Sequence, residues 1–246
     1  MERVISTYCN SFFGFIVQFI WFGSRSVLSK IPQQLLQFGS TAVHCCDVVC
    51  DLGVYLDSEL TMKKHISKTV STCYYHLRKL YHLRRLVSQS DTKQLVTSFV
   101  LQRIDYCNSL LVNLPASTTA SLQRVQNDAA RLILGLDQRA HIIPALKKLH
   151  WLPIQYRIQF KIAVFMHQCI HRRCPQYIFD LVSFRTDTGR LRSATTRAAV
   201  THRQRTNLGR RAFSIASPSV WNSLPQSLRL IDDHEQFRKQ SLLVNS

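Results

Sequence analysis

Acidic residues are scarce in this chain. Fourteen Asp and Glu stand against thirty-two Lys and Arg in 246 residues, and none lies between Glu59 and Asp91. A nucleotidyl-transfer centre needs clustered carboxylates to hold two metal ions on the attacking and leaving oxygens. The one adjacent pair, Asp232-Asp233, lies near the end of the chain with no partner acid ahead of it in a plausible strand. It reads as a solvated helix start, and no catalytic residue is assigned. Glycine is also sparse: seven residues, each isolated, give neither a Walker phosphate loop nor a Gly-x-Gly-x-x-Gly fingerprint. Gly-x-Ser-x-Gly does not occur. These absences leave no expected small-molecule substrate and no expected cofactor.

Long apolar runs are missing too. Phe12 to Phe22, interrupted by Gln18, is about half the length a membrane-spanning helix needs, so no membrane partner is expected. Its aromatic and β-branched content reads as a buried strand. The eight cysteines form no regular disulfide framework, which points to a reducing, intracellular setting, nucleus or cytoplasm. Two groups carry metal-ligand residue types: His167-x-Cys169-x-His171-x-x-Cys174 and His44-Cys45-Cys46-x-x-x-Cys50. On a helix, Cys169 points about 200° from His167, and adjacent cysteines on a strand face opposite ways. Convergence on one ion fails, so no metal ligand is expected.

What the chain does have is positive charge and enough apolar material for a core: +18, a pI near 10.0 and 46% hydrophobic residues. A field of that sign recruits polyanions, because each neutralised phosphate releases condensed counterions.

Four regions follow from the changing pattern. Residues 1–60 read as strands with turns at Gly23-Ser24 and Gly39-Ser40, ending in β-formers that straddle Gly53. Residues 61–184 turn helical. Ile66, Val70, Cys73, Leu77 and Leu80 form one apolar stripe, and Lys64, Lys68, Ser71, Tyr75, Arg78, His82 and Arg85 form a second, displaced by two residues and therefore opposite the first. A solvated basic face usually carries interspersed Glu for i,i+4 pairing; this one has none, and Tyr75 sits among the cations. The next helix is predicted from Ser90, as N-cap, through Leu95, Phe99, Ile104 and Leu111 to a stop at Pro115, apolar around most of its circumference and hence central. A third is predicted from Ser117 with Leu122, Val125, Ala129, Leu132 and Leu136 inward, and others follow over 145–149 and 154–170, the last two behind Pro144 and Pro153. Pro175 begins a short helix to Val182. Residues 185–211 are rich in arginine and poor in anything to bury, so a flexible or extended segment is expected; a plain linker and a polyphosphate-binding arm both fit. Residues 212–246 form a small closing element. The fold class expected is mainly α, a helical thumb-like bundle, with a small N-terminal β remnant and a basic, partly flexible C-terminal segment.

Five strings in order carry a resemblance: Asp51-Leu52-Gly53-Val54-Tyr55-Leu56-Asp57; Arg103-Ile104-Asp105-Tyr106-Cys107-Asn108-Ser109-Leu110-Leu111; Leu122-Gln123-Arg124-Val125-Gln126-Asn127-Asp128-Ala129-Ala130-Arg131-Leu132; Pro144-Ala145-Leu146-Lys147-Lys148-Leu149-His150-Trp151-Leu152-Pro153; and Arg211-Ala212-Phe213-Ser214-Ile215-Ala216-Ser217-Pro218-Ser219-Val220-Trp221-Asn222-Ser223-Leu224-Pro225. Together they resemble the end of the reverse transcriptase of LINE-like, non-LTR retrotransposons of the chicken-repeat and Jockey-like group. The resemblance implies that residues 1–60 are the edge of a polymerase palm, that Leu52 and Gly53 belong to a primer grip, and that the following helices are the thumb that holds template–primer. In that family the catalytic Phe/Tyr-x-Asp-Asp lies upstream, and the first 17 residues here do not supply it. The expectation is therefore a truncated, non-catalytic relative of an RNA-directed DNA polymerase. It binds RNA, DNA or RNA–DNA hybrid through Lys64, Lys68, Tyr75, Arg78, Arg85, Arg190, Arg192, Arg210 and Arg211. Two alternatives stand beside this: a protein-interaction module that docks through exposed apolar thumb faces, with a separate reverse transcriptase palm as its partner, and a decayed open reading frame whose product has no function.

Overall fold

A computed structural model of the chain describes residues 4–11, 14–31, 36–38, 41–184 and 197–244. It divides into two compact units, residues 1–71 and residues 72–246. The fold is mainly helical with a small β region at the N-terminus, as the pattern predicts.

The first unit is built from antiparallel hairpins. β1 (Val4–Ser11) pairs with β2 (Gly14–Trp21) along their whole length. β2 is the strand expected from the apolar run, and it buries Phe19 and Ile20. The chain leaves it at Gly23-Ser24 into a single helical turn, α1 (Arg25–Leu28). β3 (Leu36–Phe38) and β4 (Thr41–Val43) form a second hairpin, whose Gly39-Ser40 link lies outside the described residues. β5 (Val48–Asp51) and β6 (Val54–Asp57) form the third. Its two-residue link has Leu52 at φ 45° and Gly53 at φ 80°. Positive φ at both central positions defines the turn whose twist matches that of the flanking strands. Glycine adopts this readily; leucine does so against its Cβ.

α2 (Lys63–Leu83) starts in the first unit and ends in the second. Asp57 satisfies the amides at its start: Thr61 N donates to Oδ1 at 2.7 Å and Met62 N to Oδ2 at 2.9 Å. Within the second unit its inward residues are Cys73, Leu77 and Leu80, the apolar stripe read from the sequence.

α3 (Gln89–Val96) starts ahead of the predicted position. Its N-cap is Ser88, not Ser90: the Ser88 Oγ accepts from Asp91 N at 3.1 Å, and Asp91 lies in the positive first turn. The predicted continuous helix to Leu111 is broken. A π-helical turn over Thr97–Leu101 is followed by α4 (Gln102–Asp105), and the chain turns at Tyr106 and at Cys107, which has φ 51°. A 3-10 turn, Asn108–Leu111, leads on to Pro115. The helix is also not apolar-buried all round, since Phe99 is exposed.

α5 (Ala116–Leu134) opens behind Pro115 and closes at Gly135, φ 68°, where Leu136 N donates back to Arg131 O. That left-handed cap removes Leu136 from the inner face, which runs instead through Leu122, Val125, Gln126, Ala129 and Ile133. α6 (Ile142–Leu149) carries Pro144 in its first turn and stops at His150, φ 57°. α7 (Ile154–Ile170) follows Pro153 directly. Ile154, Ile158, Ile162 and Met166 line its buried side, each side chain adding about 1.5–3 kcal/mol of burial. α8 (Gln176–Phe179) is shorter than predicted, with the chain continuing in turns to the buried Val182.

The arginine-rich segment departs from expectation where it is described. Residues 185–196, with Arg190 and Arg192, lie outside the described residues. Beyond them Ala199 is fully buried, in a stretch expected to have nothing to bury. It bridges Phe184 and is held by Asn222 on α9 (Phe213–Ser223), which accepts from Ala199 N at 2.9 Å and donates to Ala199 O at 2.8 Å. Trp221 Nε1 donates to Arg197 O at 2.7 Å. One amide side chain thus replaces a strand neighbour, which periodicity cannot foresee. A 3-10 turn, Gly209–Arg211, precedes α9; α10 (Gln226–Arg229) and α11 (His234–Val244) complete the chain. Asp233 caps α11 by accepting from Gln236 N at 2.6 Å. Among the described residues no helix is long and apolar enough to cross a membrane.

Candidate nucleic-acid interface

α2 contains Lys63, Lys64, Lys68, Arg78 and Lys79 and no acid. Its burial follows its chemistry. In the first unit, Lys64 and Lys68 are exposed while Ile66 is buried. In the second unit, Tyr75 and Arg78 are exposed while Cys73 and Leu77 are buried. Among the described residues no ion pair holds Lys64, Arg78 or Arg85. Arg85 departs from the predicted stripe: α2 ends at Leu83, and Arg85 is exposed in the turn that follows, off the helical rhythm.

In the first unit Lys64 also borders a wide groove of about 1090 Å³. Arg25, Lys63 and Lys64 share its wall with Asp47, Asp57 and Glu59, and Arg25 pairs with Glu59 at 3.1 Å. Mixed charge of this kind gives the groove no net preference for a polyanion. Leu52, at the tip of the β5–β6 hairpin, is 84% exposed.

The tail arginines differ from one another. Arg210 is exposed, and its backbone carbonyl accepts from Asn113 Nδ2 at 2.9 Å. Arg211 is half-buried and its Nη2 donates to Leu110 O at 3.4 Å, so it fastens its own 3-10 turn to the Asn108–Leu111 turn as well as adding charge.

Around Tyr75 the structure gathers residues that the sequence pattern does not single out. His76 stacks on Phe99 with ring centroids 5.3 Å apart and planes 19° from parallel, and Tyr75 meets the His76 edge at 5.3 Å. Lys79 Nζ lies 4.5 Å from the centre of the Tyr75 ring. Partial burial, then the charges of Arg103 and Lys79, hold the His76 imidazole below its ordinary pKa, which favours a neutral ring.

A second cluster is built from His167, His171 and His234. His167 and His171 share a face of α7 and its end, centroids 4.4 Å apart. His167 Nε2 donates to Ile231 O at 2.9 Å, which fixes the tautomer and leaves Nδ1 to accept from His234 Nδ1 at 3.2 Å. Burial foremost pushes His167 down to about 4. Cys169 turns away to Cys174, sulfur to sulfur 3.5 Å. Among the described residues no group of His, Cys, Asp or Glu is arranged to hold a metal ion.

The resemblance strings carry structural bonds. Asp105 and Arg157 form a two-toothed ion pair, Nε to Oδ1 at 2.8 Å with Nη2 on Oδ2. Tyr74 Oη donates to Asp128 at 2.9 Å, and burial together with that carboxylate raises the phenol to about 12. Comparison with protein-family models, with curated proteins and with solved structures finds no match.

Proposed function

We propose that this chain is the primer-grip and thumb region of a non-LTR retrotransposon reverse transcriptase and acts as a backbone-directed binder of RNA, DNA or RNA–DNA hybrid. The observation that carries the reading is α2, which has five cations and no acid: Lys64 and Lys68 are exposed and Ile66 buried in the first unit, and Arg78 and Lys79 are exposed and Cys73 and Leu77 buried in the second. A basic face without interspersed acids suits phosphate tracking better than a solvated surface, which gains stability from alternating charges. Support comes also from the β5–β6 hairpin, whose tip exposes Leu52 in a conformation leucine adopts at a cost; such strain clusters at functional positions. Bonds to phosphate position a duplex without reading its sequence.

The chain lacks the clustered carboxylates of a polymerase centre, so binding is expected without nucleotide incorporation. Fluorescence anisotropy with a labelled hybrid duplex tests the reading, alongside primer extension in magnesium or manganese. Binding that is indifferent to base sequence, with no extension, is the expected result. Failure to bind duplex at low salt, or incorporation of deoxynucleotides, contradicts it.

A further inference from the structure

Phosphate binding accounts for the cations on α2 but leaves an aromatic cluster unexplained. Tyr75 and Phe99 are 47% and 43% exposed, although each could have been a buried residue. Between them His76 stacks on Phe99 and meets Tyr75 edge-on. The π-helical turn of Thr97–Leu101 contains Phe99. Such a turn inserts a residue into the helical ladder, and π-turns recur at functional sites. Cations accompany the rings: Lys79 Nζ lies over the Tyr75 ring, 4.5 Å from its centre, and the exposed Arg103 adds positive charge that lowers the His76 pKa. No acid lies between Glu59 and Asp91, so α2 brings no negative charge to this patch.

Exposed aromatic rings with a cation close by are what unpaired nucleobases recognise. A base stacks on an aromatic face whatever its identity, and the adjoining phosphate pairs with the cation. Paired bases inside a duplex offer no free face for this.

We propose that Tyr75, His76 and Phe99 form a stacking platform for unpaired bases, with Lys79 holding a flanking phosphate, so that the second unit takes up single-stranded RNA or DNA. This deepens the nucleic-acid reading above and rests on it. The lowered pKa of His76 favours this role, because a neutral imidazole lies on Phe99 and on a base without the cost of desolvating a charge.

The test uses the full chain and two labelled 12-nucleotide strands, oligo(dA) and its abasic counterpart with the same phosphates. The wild-type chain is expected to bind oligo(dA) at least about 5-fold more tightly, the low end for loss of one stacked base. Phe99→Ala and Tyr75→Leu are expected to abolish that difference while leaving the salt dependence unchanged. Equal binding of the two strands by the wild-type chain overturns the platform and needs no variant. If hybrid duplex still binds in that case, the wider reading stands alone; if neither strand nor duplex binds, both fall. A preference for bases that survives Phe99→Ala and Tyr75→Leu in folded protein also overturns the assignment.

Discussion

Gln126 Nε2 donates to the carbonyl of Leu152 at 2.8 Å from a side chain with no exposed surface. Gln123 sits one turn before it, donating to Gln126 Oε1 at 3.0 Å and accepting from Ile154 N at 2.9 Å. Two amides of α5 therefore fix the Leu152-Pro153-Ile154 entry to α7. Replacing Gln126 by Leu keeps the volume but leaves the Leu152 carbonyl without this donor. A loss of about 1–3 kcal/mol is expected, read as a lower urea midpoint with unchanged slope. A midpoint equal to that of the wild-type chain would mean the carbonyl finds another donor.

The Asp105–Arg157 pair joins α4 to α7. Arg157 is mostly covered and Asp105 about one-third exposed, so solvent screens part of the attraction. A double-mutant cycle with Asp105→Asn and Arg157→Met is expected to give a coupling of about 1 kcal/mol. Additive losses would assign the pair to packing alone.

The histidine cluster makes stability depend on pH. His167 has a folded pKa near 4, below its ordinary value of 6.5, so between those values the unfolded chain binds a proton that the folded chain refuses. Stability is then full above about pH 6.5, falls as the pH drops toward 4, and this contribution levels off below. Burial lowers His171 in the same direction, so it adds to the slope. Urea midpoints measured from pH 7.5 to 4 check this. His167→Phe should flatten the curve in that window, and an unaltered slope in the variant would exclude His167 as its source.

Leu52 offers a change in the opposite direction. At φ 45° its Cβ is crowded, and Asn tolerates that region better. Leu52→Asn is expected to stabilise the chain by about 0.5–1 kcal/mol in a thermal melt. Destabilisation would show that the leucine side chain itself secures the hairpin.

Local chemistry made much of this structure legible. Pro115 marks the stop before α5 and Pro153 the start of α7, the β-formers around Gly53 mark paired strands, and the apolar stripe of α2 is buried at Ile66, Cys73, Leu77 and Leu80 though only half-buried at Val70. What escaped depends on partners distant in sequence or on helical irregularity. The docking of Ala199 relies on Asn222, and the approach of His234 to His167 spans 67 residues. The π-turn at Thr97–Leu101 leaves no mark in a pattern read at 3.6 residues per turn, so the exposure of Phe99 was hidden. Spacing alone continues the stripe to Arg85, although α2 ends at Leu83.

The central claim, that the basic residues on and beside α2 engage phosphate, is tested most directly by the salt dependence of duplex affinity. If Lys64, Lys68, Arg78 and Arg85 each neutralise one phosphate, affinity should fall roughly 100-fold between ~50 and ~200 mM salt on their account. Replacing all four by Gln should reduce the slope of log affinity against log salt by about 0.9 for each cation removed, with the melting temperature unchanged. A slope that is the same in the wild-type and the substituted chain would contradict the account.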